Sequence, residues 1–260
     1  MSDFVAALLG LVQGITEFLP ISSDGHLVMV GEILGVHQEG IVFEVALHVA
    51  TLLSVLIFFR VRLLELLRGA LAGSPDAFRY AGKIAVATLP AVAAGLLFLD
   101  FFEGLFEKPW TAGVGLLFTG ACLWTTRGTL PAARSAEPSW LQALLIGCAQ
   151  VLAIAPGISR SGTTMATALA LGVAPFAAAE FSFMMAIPAI VGAALLQGLE
   201  ASAPSAELWR AMAIGGAVAC VAGIGALAVF VRVLRAGVFH RFAWYTWAAG
   251  TAFLAWLALR

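Results

Sequence analysis

The sequence has little charge, and this shortage argues against a soluble domain. Of its 260 residues only 11% are charged and 62% are hydrophobic, whereas soluble domains carry about 25% charged residues. The formal net charge is -1 and no basic tail or stripe is present. Because nucleic-acid binding requires a local excess of positive charge, no nucleic acid is expected as a partner. The composition therefore predicts an integral membrane protein.

Cysteine is also scarce. Cys122, Cys148 and Cys220 lie in apolar segments without Cys-x-x-Cys or Cys/His spacing, so we interpret them as small core residues, and not as disulfides or zinc ligands. The first residues lack the basic region and the small-residue cleavage site of a signal peptide. We therefore expect residues 4–12 to belong to the folded protein.

Long apolar runs are what the sequence has in abundance. Six of them approach the roughly 20 residues that cross a bilayer. They are 41–59, 84–102, 111–124, 176–196, 211–231 and 242–259. Two further apolar regions, 4–36 and 140–173, are interrupted by Pro20-Ile-Ser-Ser and by Pro156-Gly-Ile-Ser-Arg-Ser. Each half is too short to cross, which predicts an all-α polytopic membrane protein with six transmembrane helices and two re-entrant helix-loop-helix regions.

The two interrupted regions are related by an internal duplication. Repeat one covers about 1–126 and repeat two about 138–260, within one membrane domain of 1–260. Three predicted spans separate the interrupted regions, and an odd number reverses the direction of the second copy. The sequence thus predicts inverted-topology repeats whose loops meet near the midplane. At a constant offset the paired residues are Gly10 with Gly147, Gln13 with Gln150, Ser22 with Ser159, and Gly25 with Gly162.

Basic residues indicate the orientation of the chain. Ten of the fourteen Lys and Arg residues fall in 60–83, 127–140 and 232–241, which the predicted spans place on one side. Cytoplasmic loops carry such an excess. We therefore expect these segments to be cytoplasmic and both termini to lie outside.

The first interrupted region carries a dense group of polar residues. Gln13 and Glu17 are four residues apart and share one helix face, and Pro20 ends that helix because it lacks an N–H. This oxygen pair suits Mg²⁺ or Ca²⁺, which can also hold a substrate phosphate. A Glu17 hydrogen-bonded to a neighbouring helix is the structural alternative. Polar groups at membrane depth indicate function.

The serines and the histidine that follow have two readings each. Ser22 and Ser23 stand where helix N-caps are expected, but they could also bind phosphate or act as a nucleophile. His26 is close enough in sequence to a hydroxyl to act as general acid or base, or it makes a structural hydrogen bond. His48, four residues after Glu44, is more typical of a satisfied polar pair inside a bundle.

The second interrupted region supplies a cation. Arg160 lies beside a predicted helix start, flanked by Ser159, Ser161 and Gly162. A guanidinium next to a helix N-terminus is an anion site, and a phosphate or carboxylate should face it. A structural salt bridge to Glu17 or to Asp24 is the alternative. Glu180, the counterpart of Glu44, is expected to be structural, and His37 and His240 look like loop residues.

Together, residues 13–26 (Gln-Gly-Ile-Thr-Glu-Phe-Leu-Pro-Ile-Ser-Ser-Asp-Gly-His) and 156–162 resemble the bacterial undecaprenyl-diphosphate phosphatase family linked to bacitracin resistance. The resemblance covers essentially the whole chain, including Glu180-Phe-Ser-Phe and Phe239-His-Arg-Phe-Ala-Trp-Tyr. The chain departs from the family pattern in two places: Gln13 is the less acidic option, and Asp24 stands where a hydroxyl residue is more frequent. The family motifs map onto Gln13, Glu17, Ser22, Ser23, Gly25, His26 and Arg160.

The resemblance implies hydrolysis of a C55 isoprenyl diphosphate to the monophosphate lipid carrier, for peptidoglycan precursor recycling. It also implies a divalent cation and a site at the outer face of the bacterial cytoplasmic membrane. Our hypothesis has Ser23 as nucleophile, His26 as base and later acid, and Arg160 with a metal on Gln13 and Glu17 neutralising the substrate. Direct attack by water remains the alternative. The expected phosphate ligands are Ser22, Ser159, Arg160, Ser161 and Gly162.

Two rival functions follow from the same features. Inverted repeats with broken helices are also the plan of secondary transporters, so a lipid-carrier flippase or transporter is the alternative. Lipid phosphatases with Pro-Ser-Gly-His and Ser-Arg-x5-His-x3-Asp motifs share fragments by eye, but Ala166 stands where their histidine is required. The expected partners are the lipid substrate and the membrane, with a homodimer as a further possibility.

Overall fold

The computed structural model describes residues 1–36, 41–129, 132–200 and 204–260, and within these ranges the chain is helical, as predicted. His37 and Glu39 lie outside the described residues. An isolated bridge between Ser135 and Val173 is the β-structure found there. The helices are α1 Asp3–Phe18, α2 Ser23–Leu34, α3 Ile41–Phe58, α4 Arg60–Leu71, α5 Pro75–Leu97, α6 Leu99–Phe106, α7 Trp110–Thr129, α8 Trp140–Leu152, α9 Arg160–Ala170, α10 Pro175–Glu200, α11 Ala206–Arg235 and α12 Phe242–Leu259, with a 3-10 helix at Phe239–Arg241.

Four of the described helices are long and apolar enough to cross a membrane, namely α5, α10, α11 and the segment Phe239–Leu259. A fifth span results if α3 and α4 are counted together, although the chain bends by 76° between them. This makes the chain a multi-pass membrane protein, and the count of six stays a prediction. The span predicted at 84–102 is shifted: the helix begins at Pro75, where a missing N–H costs nothing, and ends at Leu97.

Both interrupted regions fold as two helices around a break. In the first, α1 ends at Phe18 and α2 begins at Ser23. In the second, α8 ends at Leu152 and α9 begins at Arg160. Each half is 11 to 16 residues long, which is shorter than a membrane span.

The two halves of the chain pack crosswise. Helix α1 lies on α11 and α8 lies on α5, while α7 pairs with α12. Glycines permit the close approach, since a Cβ at Gly10 would strike the backbone of Gly215 and one at Gly147 would strike that of Ala87. This packing brings the two breaks into contact, where Gly25 lies against Gly157.

A chain of aromatic rings supports the end of α1. Phe18 stacks edge-on against Phe183 of α10 at 5.8 Å between ring centroids, and Phe183 contacts Phe230 of α11 at 5.2 Å. Phe230 in turn contacts Phe239 at 5.9 Å. These four rings are almost fully buried, and they fix the position of Glu17, the residue before Phe18.

Candidate active site

The break in the first hairpin holds a strained residue. Ser22 has φ 68° and ψ 103°, and among the described residues it alone combines a side chain with a positive φ. Such a conformation costs about 1–3 kcal/mol and concentrates at functional sites. The Ser22 hydroxyl accepts a hydrogen bond from the N–H of Gly25 at 3.3 Å, so it caps α2. The turn places Ser23 and His26 on the first turn of α2, with the Ser23 hydroxyl toward Glu17 at the end of α1.

Glu17 is the centre of the site. Its carboxylate is 5% exposed and accepts hydrogen bonds from the Ser23 hydroxyl at 2.6 Å and from the Gln13 amide at 3.2 Å. Its other oxygen is paired with Arg160 of the second hairpin. A buried carboxylate needs such partners, because an unpaired charge in an apolar interior is very costly. Glu17 is therefore held as a carboxylate against a serine hydroxyl.

Arg160 joins the two hairpins. The Glu17 ion pair is one of the structural alternatives that the sequence left open, and the structure contains it. It engages only one end of the guanidinium: the Nη1 atom of Arg160 is buried and has no hydrogen-bond partner in the described part of the chain. An arginine uses five donors in a planar fork that matches phosphate. The free Nη1 is thus available to an anion while Nη2 binds Glu17.

The serines around Arg160 shape the start of α9. The Ser159 hydroxyl accepts from the N–H of Gly162 at 3.1 Å and lies 3.3 Å from the Ser161 hydroxyl. The Ser159 N–H donates to Thr119 of α7 at 2.9 Å. Ser22 and Ser159 are therefore both N-caps, at matching positions of the two hairpins. They direct the partial positive ends of α2 and α9 toward the site.

Both ring nitrogens of His26 contact groups other than the Ser23 hydroxyl. Its Nδ1 lies 2.7 Å from the carbonyl oxygen of Ser22, so Nδ1 carries a hydrogen, and its Nε2 lies 2.8 Å from the hydroxyl of Tyr245. The hydroxyl of Ser23 is bonded to Glu17. His26 thus makes a structural hydrogen bond, which the sequence left open as the alternative, because the strained Ser22 turns its carbonyl onto the ring, and its role as general acid or base stays a prediction. Tyr245 lies in the 239–245 segment that contributes to the family resemblance. It is 219 residues from His26, so no sequence pattern indicated this contact.

His48 also enters the site, which the sequence did not predict. Its Nδ1 lies 2.9 Å from the Glu44 carbonyl oxygen, and its Nε2 faces Asp24 at 3.2 Å and Glu17 at 3.7 Å. The spacing to Glu44 suggested a polar pair within α3, and that backbone contact exists. The tertiary fold adds the two carboxylates.

Glu180 lies outside this cluster, as expected. It binds the guanidinium of Arg62 at 2.8 Å and the hydroxyl of Tyr80 at 3.2 Å. Arg62 also lies over the Tyr80 ring, 5.0 Å from its centroid. This second polar cluster ties α4, α5 and α10 together, and it has the structural character predicted for Glu180.

The oxygen atoms near Glu17 fit a hard divalent cation better than zinc. Within the described ranges no three His, Cys, Asp or Glu residues are arranged to hold a metal, which is what a zinc site would need. The Gln13 Oε1 atom is buried and has no partner in those ranges. An orphan amide oxygen on the residue that also binds Glu17 suits Mg²⁺ or Ca²⁺, which bind through a few protein oxygens and complete their shell with water and phosphate.

The fold and this cluster together define a class of protein: a multi-pass helical membrane protein whose polar centre is built from two broken helical hairpins. A carboxylate, a hydroxyl, an imidazole and a half-free guanidinium meet there, as hydrolysis of an anionic substrate requires. The family model of the bacitracin resistance protein BacA matches residues 6–252. The chain belongs to this family.

Curated relatives cover nearly the full chain. A protein named undecaprenyl-diphosphatase from Desulfatibacillum aliphaticivorans is 38% identical, over 95% of this chain and 96% of its own length. Proteins of the same name from Carboxydothermus hydrogenoformans and Desulfosudis oleivorans are 37% and 38% identical, covering 98% and 100% of this chain and 97% and 100% of their own lengths. The similarity is thus to whole proteins, not to a shared fragment.

Proposed function

We infer that this chain is an undecaprenyl-diphosphatase, a hydrolase that converts a C55 isoprenyl diphosphate to the monophosphate carrier and phosphate. The family membership and the full-length relatives of that name support the reading. The substrate is a lipid and the protein is a multi-pass membrane protein, so the two share the bilayer. Among the geometric observations, the free Nη1 of Arg160 beside the Glu17 and Ser23 pair carries the most weight.

In our proposed mechanism Arg160 binds the terminal phosphate through Nη1, and the N-terminal ends of α2 and α9 add to the anion site with Ser22, Ser159, Ser161 and Gly162. Ser23 Oγ attacks the terminal phosphorus and its proton passes to Glu17, 2.6 Å away. The bond to the bridging oxygen breaks, and the isoprenyl monophosphate leaves.

Water then hydrolyses the phosphoserine, releasing phosphate and restoring the hydroxyl. His26 takes a proton from that water at Nε2 through the Tyr245 hydroxyl, 2.8 Å away, since Nδ1 is held by the Ser22 carbonyl. The change from the sequence hypothesis is that Glu17, and not His26, deprotonates Ser23. Direct attack by water on the substrate is the competing route.

Gln13 and Glu17 are the residues proposed to hold a divalent cation, Mg²⁺ or Ca²⁺. When bound, such a cation neutralises charge on the diphosphate and stabilises the leaving oxygen. Glu17 already receives Arg160, Ser23 and Gln13. With one oxygen each from Gln13 and Glu17, a bound cation would leave most of its coordination positions to phosphate and water, which is typical of Mg²⁺.

We further propose that the two halves, about 1–126 and 138–260, are inverted repeats with six spans and two re-entrant hairpins. The crosswise packing of α1 on α11 and of α8 on α5 supports this arrangement. The basic segments would then face the cytoplasm of a bacterial cell, with the site open to the outer face of its inner membrane. The same packing keeps a flippase or transporter as the alternative function.

The experiment that tests the function is phosphate release from undecaprenyl diphosphate by the purified protein, with and without EDTA. Arg160→Ala and Glu17→Ala are assayed beside the wild type. We expect cation-dependent release that collapses in both variants. A well-folded wild type that releases no phosphate but moves the lipid across liposomes would replace the phosphatase by the transporter.

A further inference from the structure

Helices α2 and α12 are joined by side-chain contacts, although their backbones pack little against each other. The main neighbours of α2 are α1 and α7. Two polar contacts join it to α12: the His26 to Tyr245 hydrogen bond at 2.8 Å, and an ion pair of Glu32 with Arg260. Glu32 and Arg260 lie near the C-terminal ends of their helices. The seam between the helices is therefore closed by one contact at the site and a second at its outer end.

Tyr245 lies at the depth of the catalytic loops. Trp247, two residues on, donates its indole N–H to the Leu117 carbonyl at 3.1 Å, near the middle of α7. Thr119, two residues after Leu117 on α7, donates to the carbonyl of Gly157 in the second loop. Yet Tyr245 is 47% exposed whereas His26 is 8% exposed. Loops near the midplane, as the sequence predicts, would place hydrocarbon around the bundle at this depth, with Tyr245 between His26 and the lipid.

The walls of the seam are apolar and partly small. Ile33, two helical turns beyond His26 on the same face, is 56% exposed. On α12 the positions one and two turns beyond Tyr245 are Ala249 and Ala252, and Ala252 is exposed. The small alanine side chains on this side of α12 leave room for a narrow, flexible apolar chain.

A separate apolar cavity, with a volume of about 920 Å³, lies between α3, α10 and α11. It has room for a lipid tail, but its lining includes none of the site residues. The seam, in contrast, ends directly on His26. Continuity with the site therefore favours the seam.

We propose that the isoprenyl chain of the substrate enters and lies between α2 and α12, with Tyr245 as the side chain that closes this lateral opening. The inference rests on the proposed function and adds where the tail lies. The diphosphate reaches Arg160 when Tyr245 moves off His26, while the first two isoprene units occupy the space beside Ala249 and the units after them pass Ala252. The rest of the tail stays in lipid.

Matched substitutions that fill each space test the proposal. Ala252→Trp fills the seam, and Ala217→Trp fills the α3, α10 and α11 cavity; both alanines are exposed on helices. Each variant is assayed with the C55 diphosphate and with a C10 isoprenyl diphosphate. We expect Ala252→Trp to raise KM for the C55 substrate about 10-fold and for the C10 substrate less than about 3-fold, with Ala217→Trp near wild type on both.

The opposite result, a C55-selective loss in Ala217→Trp alone, would place the tail in the other cavity and overturn the proposal. Equal losses on both chain lengths, or no loss, in Ala252→Trp would overturn it too. Wild type that releases phosphate from neither substrate would reject the proposed function itself, and so is recognised separately.

Labelling gives a readout that does not depend on turnover. In a background where the three native cysteines are replaced by alanine, Ala252→Cys should react with a lipid-soluble maleimide, and undecaprenyl monophosphate should slow that reaction at least about fivefold by occupying the seam. Ala217→Cys serves as the control and should keep its rate. Protection of Ala217→Cys instead of Ala252→Cys would contradict the proposal.

Discussion

The two broken hairpins share a backbone plan and differ in chemistry. In both, a serine caps the second helix by accepting from the glycine three residues on: Ser22 from Gly25 and Ser159 from Gly162. The first hairpin adds a carboxylate, a second hydroxyl and an imidazole, whereas the second adds Arg160. The two hairpins thus share what the turn geometry requires and differ where a reaction needs unlike groups.

The hairpins also differ in strain and in polar satisfaction. Ser22 has φ 68° whereas Ser159 has φ -70°, so only the first cap is strained. Gln13 donates to Glu17, whereas neither amide atom of its counterpart Gln150 has a partner within the described ranges. The strained hairpin, whose glutamine binds Glu17, is the one to which we assign the chemistry. The relaxed one serves as scaffold for a single guanidinium.

The largest effect is expected where the hairpins meet. Arg160→Lys keeps a charge but loses the fork that binds Glu17 and phosphate together, so we expect kcat to fall about 10³-fold. Arg160→Met should also destabilise the fold by about 3–5 kcal/mol, because Glu17 is left buried and unpaired. Phosphate release and thermal unfolding in detergent measure the two effects. A normal rate in Arg160→Lys would mean that one charge suffices.

Ser23→Ala tests the chemistry of the first hairpin alone. Loss of the nucleophile should lower kcat about 10²–10³-fold with little change in stability, since Glu17 keeps its other donors. Ser182→Ala, a buried serine bonded to Thr164 outside the site, is the control and should stay within about threefold of wild type. Near-normal turnover in Ser23→Ala would replace the covalent route by direct water attack.

The contact between the two breaks is tested by glycine substitution. A Cβ at Gly25 would lie 2.7 Å from the Gly157 Cα, so Gly25→Ala should force the loops apart and cost about 1–3 kcal/mol of stability. Gly128→Ala is the control, because no atom lies within 4 Å of its added Cβ. Melting temperatures of the two variants give the comparison. Equal melting temperatures would show that the loops separate without cost.

Tyr245→Phe probes the group that holds His26. Without the hydroxyl, the ring loses the partner of Nε2, and we expect kcat to fall about 10-fold with KM little changed. In a His26→Gln background the same substitution should have no further effect on kcat, because Tyr245 acts through the ring. Trp244→Phe changes the neighbouring aromatic residue and is the control. Additive losses in the double variant would indicate a separate role for Tyr245.

The smallest effect is expected at the unpartnered glutamine of the second hairpin. Gln150→Leu removes a buried amide without hydrogen bonds, so stability should stay the same or rise slightly, and the rate should stay within about twofold. Gln13→Leu, the matched change in the first hairpin, should cost about 10-fold in rate because Glu17 loses a donor. Equal losses at the two positions would make the hairpins functionally alike.

Much of the architecture follows from the sequence because its causes are local. Low charge and long apolar runs are properties of a segment, and so are the breaks at Pro20 and Pro156, the serine caps and the repeat spacing. The same holds for the choice of Glu17, Ser23, His26 and Arg160 as candidates, because they are polar residues within apolar regions of the sequence. The observed helix ends differ from the predicted ones where the prediction did not use a local signal. Pro75 is an example, since α5 begins there, well before its apolar run.

The sequence by itself thus determined the membrane class, the two broken hairpins and the chemistry available in each. Only the tertiary structure decided which groups meet: Arg160 with Glu17, 143 residues apart, and His26 with Tyr245, 219 residues apart. It also assigned the Ser23 hydroxyl to Glu17 and brought His48 between two carboxylates. The physical reason is that such contacts depend on how helices approach one another, which glycine-permitted packing of α1 on α11 and of α8 on α5 sets, and no spacing within a single helix encodes it.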